Sequence, residues 1–274
     1  MRIQGYCLRR VKLVYSGIMR TRIYLFLFLI LFAAAAAIGQ GSAGSSSTIE
    51  PRWLIDLPTA GMIPHRSATL DVDYFQNGGL LFAVTGGLFN RVMIGASFGG
   101  TNMIGVDPPI WNKHVGMTAR IRLMEESLVL PALAIGYDSQ GKEQFIDSLD
   151  RYAVKSMGLY AVGSKNYKML GYFSIHGGLN YSFETADSNE NLNLFFGMEK
   201  TVGPFLSIIG EYNVARNDQN YQSLGRGHGY VNLGVRMTLG EGFTVGLNLK
   251  DIIKNQQEVS IGNRTVRMEY VRYW

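Results

Sequence analysis

Apolar and polar residues alternate along most of the chain beyond residue 65. The segment 115–123 shows the pattern most clearly, with Val115, Met117, Ala119, Ile121 and Leu123 opposed by Gly116, Thr118, Arg120 and Arg122. Successive side chains of a strand point to opposite faces, so this segment predicts a strand with one apolar face and one small or cationic face. In a soluble sheet the apolar face would be core. In a transmembrane barrel it would meet lipid, and the arginines would line the lumen.

The same two-residue period recurs and predicts twelve strands, whereas no convincing helical period appears. The second and sixth of these strands are the most weakly patterned. The predicted strands span residues 68–74, 80–85, 92–98, 115–123, 132–138, 156–163, 173–183, 193–199, 206–214, 231–239, 243–250 and 264–274.

The connections between these strands alternate in length. Those at 87–91, 125–127, 164–167, 200–204 and 240–241 are tight, whereas those at 100–113, 139–155, 215–227 and 252–263 are long. The connection at 185–191 is intermediate, and the short turn at 76–79 is the exception to the alternation. An even strand count with short turns at one rim and long loops at the other is typical of outer-membrane barrels. The pattern therefore predicts an all-β fold, a transmembrane antiparallel up-and-down barrel over residues 66–274.

The first 39 residues have the order of a secretory signal peptide. Six basic residues precede an apolar run over 23–38, and small residues follow. A membrane anchor is the alternative, but this run is shorter than the ~20 residues that a spanning helix needs. We expect residues 1–39 to be removed, residues 40–65 to form a flexible linker and periplasmic N-terminal segment, and the protein to reach the outer membrane of a Gram-negative-type bacterium.

Removing the leader changes the charge of the chain. The 26 Lys+Arg exceed the 21 Asp+Glu, but six of the bases precede Gly39, which leaves 20 against 21 and a net charge of −1. The basic leader is therefore no evidence for a nucleic-acid partner. The single cysteine, Cys7, also lies in the leader, which excludes disulfides and cysteine metal sites from the rest. No cofactor is expected.

The last predicted strand carries a candidate assembly signal. Tyr270 and Trp274 lie on its apolar face, and Trp274 ends the sequence. A terminal aromatic preceded by alternating apolar residues is similar to the strand that outer-membrane assembly machinery recognises. That machinery, outer-membrane lipid and lipopolysaccharide are the expected partners.

Several glycine-rich stretches resemble the YjbH-like outer-membrane proteins. They are Leu57-Pro-Thr-Ala-Gly61, Phe75-Gln-Asn-Gly-Gly79, residues 91–100, residues 131–141 and Gly163-Ser-Lys-Asn-Tyr167. The resemblance covers roughly residues 55–255 and implies an outer-membrane barrel associated with exopolysaccharide production or export. Components of envelope polysaccharide export would then be partners. The family supplies no catalytic residues, and this chain lacks the extra domains of its larger members.

Charged residues on the polar faces form the main functional hypothesis. Eleven should face the lumen: Asp71, Asp73, Arg120, Arg122, Glu184, Glu199, Glu211, Arg236, Lys250, Arg267 and Glu269. Because unpaired charges would be costly at that depth, we expect them to form a ladder of ion pairs. The ladder would either border a narrow pore for a polar solute or envelope polysaccharide, or fill a closed structural or adhesion barrel.

Enzymatic chemistry has weaker support in the sequence. His176 shares a strand face with Ser174 and Ser182, which allows a lipid hydrolase, although a structural histidine is the favoured interpretation. The histidines have no metal spacing. Glu143, Asp147 and Asp150 could hold calcium, but they lack the pattern of a calcium loop and favour a solvated acidic loop. We expect no catalytic site and no metal.

Overall fold

The computed structural model describes residues 44, 49–220, 222–240, 242–257 and 263–274, so the leader lies outside the described residues. Its strands are β1 (Ser67–Phe75), β2 (Gly79–Leu88), β3 (Val92–Thr101), β4 (Ile110–Trp111), β5 (Gly116–Met124), β6 (Ala132–Asp138), β7 (Lys142–Ile146), β8 (Arg151–Val154), β9 (Gly158–Lys168), β10 (Tyr172–Tyr181), β11 (Asn193–Thr201), β12 (Leu206–Asn213), β13 (Tyr230–Thr238), β14 (Phe243–Lys250) and β15 (Asn263–Tyr273). A single 3-10 turn spans Asp147–Leu149.

Twelve of these strands close into a barrel. Each pairs antiparallel with the next along the chain, and β15 returns to pair with β1, for example at Asp71 opposite Glu269. The other three strands are the short β4, which pairs with β3, and the β7–β8 hairpin in the connection between β6 and β9. The predicted all-β, twelve-stranded antiparallel barrel is therefore confirmed.

The apolar faces of the barrel strands point outward. In β5, Met117, Ile121 and Leu123 are 51%, 47% and 57% exposed, whereas Arg120 between them is fully buried. A closed barrel satisfies the backbone hydrogen bonds of every strand, and an apolar outer face then suits a bilayer rather than water. The chain is an outer-membrane β-barrel. Within the described residues, no helix is long and apolar enough to cross a membrane.

Two strand boundaries differ from the sequence prediction. Residues 164–167, predicted as a tight turn, belong to β9, because β10 pairs across them and Asn166 faces Ser174. Strand β10 ends at Tyr181, so Glu184 lies outside the wall. Its carboxylate accepts hydrogen bonds from the backbone N–H groups of Tyr152 and Ser156 at 2.9 and 3.0 Å. These amides belong to an outer loop, and this contact corrects the predicted lumen position of Glu184.

The connections fix the orientation of the barrel. The turns β2–β3, β9–β10, β11–β12 and β13–β14 are short and share a rim with the start of β1 and the end of β15. The longer connections, including the one that carries β7 and β8, lie at the opposite rim. Short turns mark the periplasmic rim of such barrels and long loops the outer rim.

Candidate functional site

The lumen is occupied by the segment that precedes the first strand. Residues 49–65, called the lumen hairpin below, enter from the periplasmic rim and reverse direction at a turn in which Leu54 N–H donates to Leu57 C=O at 2.8 Å. Trp53 and Pro58 form an antiparallel bridge across the turn, and Thr59 N–H donates to Arg52 C=O at 3.1 Å. The sequence predicts a flexible linker and periplasmic segment here, with the irregular residues 51–65 lying against or inside the mouth of the fold. The structure places these residues inside the barrel, because the wall supplies partners for their backbone.

Arginines of the wall hold the backbone of the lumen hairpin. The Arg120 guanidinium donates to the carbonyls of Arg52 and Gly61 at 3.0 and 2.9 Å. Arg236 donates to the carbonyl of Trp53 at 2.6 Å and also to that of Leu54. An irregular segment has no neighbouring strand to bond its carbonyls, and each buried carbonyl without a partner would cost free energy. The five donors of a guanidinium serve this purpose.

Further arginines extend this arrangement around the barrel. Arg122 donates to the carbonyl of Ala60 at 2.9 Å and pairs with Glu50. On the far side of the lumen, Arg267 donates to the carbonyl of Ile55 at 3.0 Å. The hairpin is thus held from β5, β13 and β15, which lie on different sides of the wall.

Glu211 of β12 holds the tip of the hairpin. Its carboxylate accepts hydrogen bonds from the successive backbone N–H groups of Ile55, Asp56 and Leu57, at 2.9–3.1 Å. Asn232 of the neighbouring strand donates to the same carboxylate at 2.7 Å. Charge-assisted bonds of this kind are stronger than neutral ones. Glu211 therefore fixes the position at which the hairpin turns.

The charges of the hairpin pair with charges of the wall. Arg52 lies 2.7 Å from Asp71 and 2.9 Å from Glu269, and Asp56 lies 2.7 Å from Lys250. The wall also pairs within itself, Asp73 with Arg267 at 2.7 Å and Glu199 with Arg236 at 3.5 Å. Ten of the eleven candidate residues thus contribute to this lumen network, Glu184 being the exception.

Apolar side chains of the hairpin form a small core inside the barrel. Leu57 and Ala60 pack with Ala132, Tyr160 and Phe195, and Leu54 packs with Ile209. Full burial of one leucine contributes roughly 1.5–3 kcal/mol. The hairpin is therefore held by packing as well as by polar contacts.

The outer loops cover the opposite end of the lumen. Arg151 of β8 is fully buried and lies 2.7 Å from Asp187 and 2.6 Å from Asp218. Burial opposes its charge, but the hydrogen bond and charge of Asp218 outweigh this effect and raise the pKa of Arg151. Lys155 lies 2.7 Å from Asp187, and burial lowers the pKa of its ammonium group despite that partner. These four residues tie three outer loops together.

The space that remains in the lumen is small. A cavity of about 110 Å³ lies beside Glu50, Arg122 and His176 at the periplasmic end, and another of about 20 Å³ lies beside Asp56 and Lys250. The first could hold a few water molecules, since one water occupies about 30 Å³ in the liquid. The lumen hairpin therefore closes the barrel in this structure.

Comparisons with known proteins return only distant likenesses. No family model and no curated protein matches the chain. The KdgM porin is similar over 74% of this chain and 98% of its own, at 7% identity and a TM-score of 0.45. The translocator domain of the autotransporter NalP from Neisseria meningitidis follows at 11% identity, with coverage of 76% and 86% and a TM-score of 0.37.

The outer membrane channel DcaP of Acinetobacter baumannii is similar at 8% identity, covering 75% of this chain and 95% of its own with a TM-score of 0.27. All three are too remote to assign a function. The fold of this chain rests on its own strand pairing and apolar outer face.

His176 does not form the pair that a lipid hydrolase on this strand would need. Its Nδ1 lies 2.8 Å from Ser164 Oγ, whereas Ser174 bonds Asn166 and Ser182 lies beside Ser156. Ser164 Oγ also accepts the N–H of Ala60, so the pair lies beneath the lumen hairpin rather than at the lipid surface. Among the described residues, no cluster of histidine and carboxylate side chains could hold a metal ion.

Sequence reasoning missed three residues that complete the network. Arg52 and Asp56 lie in a segment without periodicity, and Glu143 lies in the short strand β7 of an outer connection. Glu143 lies 3.3 Å from the Lys250 ammonium and accepts a hydrogen bond from Asn263 Nδ2 at 2.5 Å. The six acids and five bases predicted for the wall nearly balance, so they gave no signal for these further partners.

The two residues of the candidate assembly signal lie on the outside. Tyr270 is 40% exposed on β15, and Trp274, 71% exposed, donates its N–H to the carbonyl of Arg66 at 3.1 Å. Their side chains are available for contact, and their role in assembly stays a prediction.

Proposed function

We propose that the protein is a passive channel for small polar solutes whose gate is the lumen hairpin. The observation that carries the proposal is the pairing of a charged wall with a non-covalently held hairpin. Arg120, Arg236 and Glu211 bind the hairpin through its backbone, by contacts that water can replace. The charges of the wall bind the hairpin in the closed barrel. Water would solvate the same charges if the hairpin moved out of the lumen, so the wall is compatible with a closed and with a water-filled barrel.

A closed structural barrel is the second candidate, because packing of Leu54 and Leu57 inside the lumen also stabilises the fold. A purely structural filling does not require so many charges. Well-packed apolar side chains fill a core at least as stably as buried ion pairs do. The desolvation free energy that these buried charges cost is explained if the wall must also line a water-filled lumen.

The composition of the wall bears on the solute. Asp71, Asp73, Glu199, Glu211 and Glu269 face Arg120, Arg122, Arg236, Lys250 and Arg267. Because both signs are balanced, an open lumen would favour neutral or zwitterionic polar solutes over ions of one sign. An envelope saccharide fits this class, in agreement with the exopolysaccharide role that the YjbH-like resemblance implies. Delivery by a signal peptide over residues 1–39 belongs to the same proposal.

A reversible crosslink tests the gate. Ala60 N and Ser164 Oγ lie 2.8 Å apart, so Ala60→Cys with Ser164→Cys can join the hairpin to β9. The chain lacking residues 1–39 contains no other cysteine. In planar bilayers we expect openings of the reduced variant and of the unmodified chain, and none of the oxidised variant.

Deletion of residues 49–62 provides the complementary measurement. The single variant Ala60→Cys, which cannot form the crosslink, is the matched control for the double variant. The deletion variant should conduct continuously if the hairpin is the gate. Equal conductance of the oxidised and reduced double variant would reject the gate. A folded deletion variant that conducts nothing, even when Arg151→Ala releases the outer loops that cover the other end, would favour the closed structural barrel.

A further inference from the structure

A further cavity lies at the outer rim of the barrel, outside the lumen. Its volume is about 230 Å³, and it opens between the β7–β8 hairpin and the ends of β6 and β10. We call it the rim cleft and define it by His114, Tyr137, Phe145, Asp150, Phe183 and Glu184. This volume is below the ~300 Å³ at which pockets for drug-sized ligands begin. It suits a molecule of the size of one sugar ring.

Aromatic rings form a corner in the rim cleft. The rings of His114 and Phe145 are 6.2 Å apart with an interplanar angle of 87°, and Phe145 meets Tyr152 at 5.0 Å and 81°. On the other side, Tyr137 and Phe183 lie 6.2 Å apart. Tyr152 is buried beneath this corner, whereas His114 and Phe183 are exposed and Phe145 is half-buried. A ligand with apolar faces can therefore pack between His114 and Phe145 on one side and Phe183 on the other.

Hydrogen-bond acceptors lie beside the aromatic corner. The two carboxylate oxygens of Glu184 each accept one backbone N–H, from Tyr152 and Ser156. A carboxylate has about four acceptor sites, so Glu184 can accept a further hydrogen bond. Asp150 pairs with Lys113 at 2.6 Å through one oxygen, which leaves its second oxygen as an acceptor. The cleft therefore offers carboxylate acceptors for hydroxyl groups.

We propose that the rim cleft binds a pyranose ring, either in the headgroup of an outer-leaflet glycolipid or in a soluble glycan. A pyranose has apolar C–H faces that pack on aromatic rings and hydroxyl groups around its edge that donate to carboxylates. The position of the cleft at the outer rim places it at the level of lipid headgroups. This site is separate from the lumen and does not depend on the gate.

Saturation-transfer NMR on the detergent-solubilised chain tests the site. The probes are the methyl glycosides of glucose, galactose, mannose and N-acetylglucosamine, deacylated lipopolysaccharide oligosaccharide, and tetramethylammonium. We expect transfer to the ring protons of at least one saccharide probe. Loss of an aromatic face in Phe145→Leu or His114→Ala should weaken binding about two- to tenfold, since one aromatic contact contributes roughly 0.5–1.5 kcal/mol.

Phe205→Leu is the matched control, because Phe205 is a 59% exposed aromatic at the periplasmic rim, far from the cleft. His114 is exposed, so His114→Ala should leave the fold intact. It therefore tests the site even if Phe145→Leu fails to fold. Stronger transfer to the deacylated oligosaccharide would identify a glycolipid headgroup, and stronger transfer to methyl glycosides a soluble glycan. Any of three results would overturn the proposal: saccharide transfer that is equal in all variants, transfer to tetramethylammonium alone, or no transfer at all.

Discussion

Arg120 illustrates what a single lumen residue does in this protein. Its guanidinium is fully buried, donates to Tyr160 Oη at 2.8 Å and to two carbonyls of the lumen hairpin, and lies 5.1 Å from the centre of the Trp53 ring. Its inward direction follows from the two-residue period of β5. Its partners do not, because Arg52 and Gly61 lie about sixty residues away in a segment that has no period.

Glu211 gives the most direct prediction at the residue scale. Glu211→Gln removes the charge and one of the two oxygens that accept N–H groups from the hairpin tip. Because a hydrogen bond to a charged group contributes about 1.5–3 kcal/mol, we expect the open fraction of single channels to rise tenfold or more. The matched control is Glu126→Gln, whose carboxylate bonds Asn166 near the periplasmic rim. Equal open fractions in both variants would contradict the assigned role of Glu211.

At the scale of elements, the chain divides into strands that the sequence reveals and connecting segments that it does not. Strand β5 follows the alternation from Gly116 to Leu123, and its large outward residues Met117, Ile121 and Leu123 are exposed. The lumen hairpin has three prolines and no alternation. Its conformation is imposed by hydrogen bonds from the wall, so local sequence could show only that it is irregular. Residues 164–167 were misassigned for a related reason, since pairing with β10 overrides their turn-like composition.

The final strand provides a prediction at this scale. Strand β15 closes the barrel against β1, and Tyr270 and Trp274 project from its outer face. If they form the assembly signal, Tyr270→Ala with Trp274→Ala should reduce the outer-membrane fraction of the chain several-fold and leave unfolded protein in the periplasm. Immunoblotting of fractionated cells measures this. Trp111→Ala, which removes an exposed aromatic at the outer rim, is the control. Equal outer-membrane fractions of the double variant and of Trp111→Ala would show that Tyr270 and Trp274 are not the assembly signal.

For the whole molecule, closure of the sheet joins the first and last strands and leaves no free barrel edge. The lumen is then filled by polar contacts, by the hairpin from the periplasmic side and by the Arg151 network from the outer side. Closure from both ends distinguishes this barrel from a pore that is permanently open.

Closure of the barrel predicts resistance to detergent. All barrel strands have two hydrogen-bonded neighbours, so unfolding must break the whole ladder at once. We expect the chain to fractionate with the outer membrane and to migrate differently in electrophoresis with and without heating. A soluble periplasmic product with no change in mobility would contradict the membrane assignment.

The sequence by itself determined the wall: the number of strands, the face that each apolar residue takes and the inward direction of Arg120, Glu211 and Arg267. These properties follow from the two-residue period of a strand, which is local. Only the tertiary structure decided that the lumen is closed, because the charges of the wall find their partners in Arg52, Asp56 and the backbone of residues 52–61. Such pairings join residues far apart in the chain, and no local pattern encodes them.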